Sequence, residues 1–269
     1  MSKTAPVIGR CIYCPYSGPD LSTEHIIPKG LLPRGVEPWL LYKASCAACR
    51  AVTSAFERVL LQGLLSPIRA ALDLSSYRRK QRPTRFPIRI IRNGAEVEIM
   101  VPAKEYPALL MLPIFLPPAH LDGRQYQSGA DVARLHGVRC TSIDPDHVAT
   151  QYGGTLRVRG TFDLAAFSRL LLKVAYGFVV GYVGLQAIEN VYALDTIMGR
   201  NRDFSRWLGN DGALILGQDS FHSAACNLLA PRDIVVRLRL FGAPAPEYVA
   251  IIGRATGAAV AAWPQLPAK

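Results

Sequence analysis

The sequence lacks the features of disordered, secreted and membrane-spanning proteins. Only 19% of its residues are charged and 50% are hydrophobic, a balance that excludes a disordered chain and suffices for one large domain or two small ones. Residues 1–10 contain no apolar run of signal-peptide length, and the longest apolar run, residues 174–185, is too short to span a bilayer. Internal repeats and a glycine-rich phosphate loop are also absent. We therefore expect a cytoplasmic protein that binds no membrane.

Acidic residues are scarce in the first third of the chain. The whole sequence has a formal net charge of +11, from 31 lysines and arginines against 20 acidic residues. Residues 1–92 hold 15 of these basic residues and only 5 of the acidic ones, so they carry +10 of that charge and the remainder is nearly neutral. This distribution favours an anionic partner that contacts the N-terminal third.

Four of the six cysteines form two Cys-x-x-Cys pairs. These are Cys11 with Cys14 and Cys46 with Cys49. In a reducing compartment such pairs indicate a metal site, and four thiolates with no further ligand describe a closed structural Zn²⁺ site. Disulfides and a buried cluster of thiols remain the alternatives. We interpret Cys140 and Cys226 as ordinary buried thiols.

Hydrophobic periodicity predicts an α+β protein with a long apolar helix. Apolar residues at steps of three and four predict a helix from Cys46 to about residue 65, and a second from about 164 to 183 that Asp163 caps. Alternation around Asn93-Gly94 predicts a β-hairpin over 87–101. Further strands are expected near residues 156–158, 233–241 and 248–252, and residues 102–118 are expected at the surface or at a sheet edge.

The residues between the cysteine pairs make the pattern more specific. The order is Cys11-Ile-Tyr-Cys14, then Glu24-His25-Ile-Ile-Pro28, then Cys46-Ala-Ala-Cys49 at the start of a helix. This ordered set, over roughly residues 10–57, resembles the HNH endonucleases, also called the ββα-metal nucleases. The resemblance implies a zinc-bound ββα-metal module at the N-terminus.

The family resemblance also implies a reaction, the hydrolysis of phosphodiester bonds in DNA. In that family the histidine is the general base and the acidic residue before it binds a divalent ion, usually Mg²⁺. By position, His25 would take the proton from water and Glu24 would bind Mg²⁺ or Mn²⁺. A neutral imidazole suits a base at neutral pH, and a divalent cation would neutralise charge on the phosphate.

One position departs from the family pattern. The residue after the second cysteine pair is usually Asn or His and completes the metal site, whereas this chain has Arg50. Thr53, Ser54 and Glu57 follow on the same helix, and of these Glu57 is our candidate to bind the ion directly or through water. Alternatively, Arg50 contacts the phosphate itself.

The basic residues of the N-terminal third are candidates for phosphate contacts. Lysine and arginine supply most of the affinity for nucleic acid without reading its sequence. The candidates are Lys29, Arg34, Lys43, Arg50, Arg58, Arg78, Arg79 and Lys80.

These observations give three regions. We expect the nuclease-like module over residues 1–72, a basic linker or arm over 73–92, and a larger α+β domain over 93–269 that is regulatory or binds a partner. The leading hypothesis is a metal-dependent endonuclease. The alternative is a zinc-containing protein that binds nucleic acid or another partner without cleaving it. A protein partner or ligand of the third region and a homodimer also stay open.

Overall fold

The computed structural model describes residues 5–75, 83–124, 132–157, 162–213 and 220–263. The described strands are β1 Ser22–His25, β2 Leu40–Ser45, β3 Arg85–Arg92, β4 Ala95–Pro102, β5 Leu109–Phe115, β6 Val132–Arg139, β7 Thr155–Arg157, β8 Ile188–Val191, β9 Leu208–Gly209, β10 His222–Leu229, β11 Asp233–Leu240 and β12 Tyr248–Ala255. The described helices are α1 Ala47–Gln62, α2 Ser66–Ala71, α3 Ala119–Asp122, α4 Pro145–Gln151, α5 Leu164–Val183, α6 Leu194–Ile197, α7 Phe204–Trp207 and α8 Gly257–Ala262.

The strands of the described residues form four antiparallel sheets. The largest has the order β10-β11-β12-β8, with β9 paired to β12, and the others are β4-β3-β7, β5-β6 and β1-β2. The small β1-β2 ribbon pairs Glu24 with Leu41 and His25 with Leu40, and helix α1 follows β2 after a single residue. Helix and sheet are therefore mixed in the chain, which confirms the α+β class in coarse form.

Helix α5 is the central element of the core. Its side chains are apolar almost all round, and fourteen of its twenty residues are buried, as expected for a helix with neighbours on every side. It packs against α1 on one side and against β12 and β11 of the large sheet on another. The Asp163 carboxylate accepts a 2.8 Å hydrogen bond from Ala166 N–H, so the predicted cap and both predicted helix ends are confirmed.

Several other predictions from periodicity are confirmed. The hairpin is β3 and β4, and Asn93 and Gly94 at its turn have φ of +49° and +79°, a left-handed pair that suits a type I′ turn. The helix expected from Cys46 to about residue 65 is α1, which Gly63 ends. The expected strands near 233–241 and 248–252 are β11 and β12.

Two interpretations need correction. For the proline-rich segment 102–118 the surface alternative is wrong, because its strand β5 buries Leu110, Leu112 and Phe115 in the core. The sheet-edge alternative holds, because β5 pairs with β6 alone among the described strands. Cys140 and Cys226 are half-buried and not fully buried. The sequence argues against strand β5 because of its Pro113, yet β5 pairs with only one neighbour and loses little by lacking one N–H.

One hydrophobic core runs through residues of both the N-terminal module and the third region. It includes Leu41 and Phe56 together with Leu171, Val236 and Ile251. A smaller cluster, formed around Ile88, Ile90 and Val148, lies under β3 and α4. The boundaries at residues 72 and 92 remain a prediction. The regions before and after them, residues 1–72 and 93–269, share one continuous hydrophobic core.

Helix α5 is the only helix of the described residues that could cross a membrane by length and composition. Its 20 residues include a window of suitable hydropathy, and 78% of that window is buried inside the fold. This burial is that of a core helix.

His222 joins the large sheet to the N-terminal module. Its Nε2 lies 2.9 Å from the Leu31 carbonyl oxygen, and its ring contacts Phe221 and Phe241. Burial lowers the pKa of His222 to about 4 from an ordinary value of 6.5, against a smaller opposite effect of the bond to Leu31. The histidine is therefore neutral in the folded protein above about pH 5.

This buried histidine predicts acid lability of the fold. Between pH 6.5 and 4 the His222 imidazole binds a proton in the unfolded chain but stays neutral in the folded chain. As the pH drops through this range, the free energy of unfolding therefore falls by roughly 3 kcal/mol because of this group. His222→Gln keeps a donor for Leu31 and does not titrate, so it should flatten the loss in urea unfolding measured from pH 7 to pH 4. Exposed His147, changed to Gln, serves as the control. Equal pH slopes for wild type and His222→Gln would contradict the prediction.

Candidate metal centre and buried charge cluster

The two cysteine pairs meet because the segment before β1 lies along β2. Ile8 N–H donates to the Tyr42 carbonyl and Ile12 N–H to the Ala44 carbonyl, both at 2.9 Å, which places Cys11 and Cys14 beside the end of β2. Strand β2 leads directly into Cys46, the residue that caps the N-terminus of α1, and Cys49 lies in the first turn.

The four sulfur atoms form a compact cluster. They all lie within 4.8 Å of one another, and the Sγ atoms of Cys14 and Cys46 are 3.7 Å apart. Four thiolates bound to one zinc ion at 2.3 Å stand about 3.8 Å apart, so the spacing fits a tetrahedral site. The N–H groups of Cys46 and Cys49 donate to the sulfurs of Cys11 and Cys46, each at 3.5 Å. Burial raises the pKa of Cys11 by more than its N–H bond lowers it, whereas for Cys46 the hydrogen bonds outweigh burial and lower the pKa to about 7. The four cysteines can therefore hold a metal ion such as zinc.

Glu24 and His25 are consecutive residues of β1 and point to opposite faces of the strand. The Glu24 carboxylate is directed into the core, with 6% of its side chain exposed, while His25 is half-buried. Burial lowers the pKa of His25 below 6.5, and the charge of Lys173 lowers it further, against an opposite effect of Glu24. The imidazole is therefore neutral at pH 7 and can accept a proton.

A lysine from α5 lies between the two glutamates predicted to bind the catalytic ion. Lys173 Nζ is 2.8 Å from Glu24 Oε1 and 3.0 Å from Glu57 Oε1. The lysine side chain is 1% exposed, and Glu57, on α1, is 19% exposed. The three groups form an ion-pair cluster that connects β1, α1 and α5, and we refer to it as the Lys173 cluster.

The electrostatics of the Lys173 cluster are those of charges held out of water. Burial lowers the pKa of Lys173, but the charges of Glu24 and Glu57 raise it by more, so the amine stays protonated. Burial raises the pKa of Glu57 above its ordinary value, and Lys173 only partly opposes this. Tyr13 lies beside the cluster, and burial followed by the two carboxylates raises the pKa of its hydroxyl well above 10.0.

Neighbours on the same face of α5 hold the lysine in place. Tyr176 donates a 2.6 Å hydrogen bond to the carbonyl of Ile12, inside the first cysteine pair. Gly177 packs on Ile26, and a Cβ at this glycine would lie 3.3 Å from the isoleucine Cγ1. Gly177 thus allows the segment after β1 to approach α5 closely.

The Lys173 cluster does not fit the divalent ion expected from the family resemblance. Glu24 and Glu57 are indeed brought together, as a shared ligand role requires. However, the oxygens that would bind the ion are bonded to the lysine amine. Thr53, another candidate on α1, is buried and donates its hydroxyl to the Arg50 carbonyl at 3.2 Å.

The candidate phosphate-binding residues are exposed wherever the structure describes them. These exposed residues are Lys29, Arg34, Lys43, Arg50 and Arg58. Arg34 pairs with Asp73, and Arg50 and Arg58 are two turns apart along α1. Arg78, Arg79 and Lys80 lie outside the described residues.

Lys173 was not among the candidate residues, although the sequence contained a signal for it. It is flanked by Leu172 and Val174 within a helix that is apolar on almost every face. A lysine at such a position must find a counter-charge inside the fold, because an unpaired buried ammonium is too costly. The sequence could not say which carboxylates would provide it.

Comparisons with models of protein families, with curated proteins and with solved structures find no match to this chain.

Zinc should be an integral part of the folded protein. Purified full-length protein should contain one zinc per chain by elemental analysis, and removing it with a chelator should lower the Tm by about 10 °C or more, since such a site supplies several kcal/mol of folding free energy. Cys46→Ser should lose the metal and the same stability, whereas Cys226→Ser, outside the cluster, should keep both. A metal-free wild type with an unchanged Tm would contradict the zinc site.

Proposed function

We propose that the protein is a zinc-stabilised ββα nuclease that binds nucleic acid, with DNA as its substrate, and hydrolyses its phosphodiester bonds. One observation carries the proposal. The four cysteines converge on one point while the chain between them forms β1 with Glu24 and His25, then β2, then α1. This is the order of elements that the ββα resemblance implies.

His25 is the residue that would act as the general base. Its neutral imidazole would take a proton from water, the oxygen of that water would attack phosphorus, and the bond from phosphorus to the leaving oxygen would break. The leaving oxygen would then receive a proton from solvent. Zinc on the four cysteines would have a structural role, since a four-thiolate site leaves no position for substrate.

The basic surface supports an anionic polymer as the substrate. The N-terminal 92 residues carry +10 of the total +11 charge. Five of the candidate lysines and arginines are exposed within the described part of this region. Side chains of this kind bind phosphates along a chain and select little for base sequence.

Cleavage is tested by incubating supercoiled plasmid with zinc-loaded protein, without added divalent ions and then with Mg²⁺ or Mn²⁺. Wild type should convert the plasmid to the nicked form. His25→Ala should lower the rate by about 100-fold or more, because general-base catalysis contributes this much. His147→Ala, which removes an exposed histidine on α4, should cleave at the wild-type rate. Absence of nicking by folded wild-type protein under every condition would overturn the enzyme assignment.

A second candidate is a nucleic-acid-binding protein that does not cleave. Two observations favour it. Lys173 pairs with Glu24, at the position where the resembled family has a metal ligand, and with Glu57, our own candidate for a second ligand. Arg50 stands where that family has Asn or His. Under this hypothesis the ββα module is kept as a binding surface.

Both candidate functions require binding that weakens with salt. The dissociation constant for duplex DNA, measured by fluorescence anisotropy, should rise steeply between 50 and about 200 mM salt as counterions compete for the phosphates. Changing Arg50 and Arg58 to Gln should reduce the slope of log K against log salt by about 1 for each phosphate that the variant no longer neutralises. The matched control is Arg134→Gln, an exposed arginine of β6 in the nearly neutral region. An affinity that does not change with salt would rule out nucleic acid as the partner.

A further inference from the structure

The Lys173 ammonium lies in a cage of oxygen atoms contributed by two segments of the N-terminal module. Two are the carboxylate oxygens of Glu24 and Glu57, at 2.8 and 3.0 Å. The others are backbone carbonyls of His25 and Ile26, the latter at 3.3 Å. An ammonium has three N–H bonds, so four oxygens are more than it can satisfy one by one. The four oxygens therefore stabilise the charge of the ammonium as a group, in addition to accepting its individual hydrogen bonds.

The same oxygens are a donor set for a divalent ion. Carboxylate and carbonyl oxygens are the ligands that Mg²⁺, Mn²⁺ and Ca²⁺ take in proteins. An ion held by Oε1 of Glu24 and Oε1 of Glu57 would lie where Nζ lies, because both oxygens contact that atom. The amine and a metal ion therefore exclude each other from this cage.

Contacts made by residues before and after Lys173 hold helix α5 against the N-terminal module. Four residues before the lysine, the Arg169 guanidinium lies over the Phe56 ring of α1, 4.5 Å from its centroid. Three and four residues after it, Tyr176 bonds to Ile12 and Gly177 packs on Ile26. Moving this part of α5 away from the cage would require these interactions to break as well, since residues at these spacings share one face of a helix.

We propose that the Lys173 ammonium is the resident cation of this cage and that the protein binds no divalent ion between Glu24 and Glu57. Lys173 is then a positioning residue: it neutralises Glu24 and holds the carbonyl next to the His25 side chain. For cleavage, this inference rests on the proposed function, and it implies a reaction that needs no Mg²⁺ or Mn²⁺ at this cage.

The test is a Mn²⁺ titration of zinc-loaded, full-length protein, followed by the electron paramagnetic resonance signal of free Mn²⁺. With wild type the signal of free Mn²⁺ should rise in proportion to the Mn²⁺ added, because no ion enters the cage. Lys173→Ala removes the amine together with its stem and leaves the cage open to an ion, so it should bind one Mn²⁺ per chain at least tenfold more tightly than wild type. Adding Glu24→Gln to this variant should abolish the new site. Lys104→Ala, at an exposed lysine outside the cage, is the matched control and should behave as wild type.

The opposite result is equally clear. A Mn²⁺ ion that wild type binds, and that Glu57→Gln abolishes, would overturn the inference, as would a folded Lys173→Ala that gains no site. Should Lys173→Ala fail to fold, the variant that also carries Glu24→Gln and Glu57→Gln removes all three charges. If this variant folds, the result supports the Lys173 amine as the counter-ion of Glu24 and Glu57. The titration of wild type still decides whether a metal binds.

This titration separates the inference from the proposed function. A protein that never nicks plasmid but shows the expected Mn²⁺ behaviour would retain the inference and lose the nuclease. A protein that nicks plasmid and binds Mn²⁺ through Glu24 and Glu57 would retain the nuclease and lose the inference.

Discussion

Burial of three charged groups at one point ties together three elements of this fold. Lys173, Glu24 and Glu57 come from three elements, α5, β1 and α1, that are distant in sequence. Removing one member of a buried ion pair destabilises a protein by about 3–5 kcal/mol, because the partner's charge is left without compensation. A shift of one element against the others would separate these charges, so the position of the Glu24-His25 pair depends on the third region of the chain.

The sequence predicted well what depends on local order. The helix over 164–183 with its Asp163 cap, and the hairpin at Asn93-Gly94, follow from periodicity and turn chemistry. The cysteine cluster also follows from spacing, since each pair brings two sulfurs to one side. These features depend on residues a few positions apart, which a single sequence reveals.

The sequence could not predict what depends on pairing between distant elements. Glu24 and Glu57 were assigned to a metal ion because nothing near them in the chain supplies a positive charge to the core. The charge comes from Lys173, and only the packing of α5 against β1 and α1 brings it there. Strand β5 escapes prediction for a related reason, since its partner β6 begins seventeen residues after β5 ends and its own Pro113 argues against a strand.

Helix α5 also has a consequence for the order in which the protein is made. The ribosome releases Glu24, Glu57 and all four cysteines of the cluster more than a hundred residues before Lys173. Until α5 emerges, the nascent N-terminal segment has its metal ligands but lacks the counter-ion for two carboxylates that the finished fold buries. Zinc can gather the cysteines early, whereas the acidic pair must stay solvated until the later helix arrives. Maturation of the candidate site is thereby tied to synthesis of the central core helix.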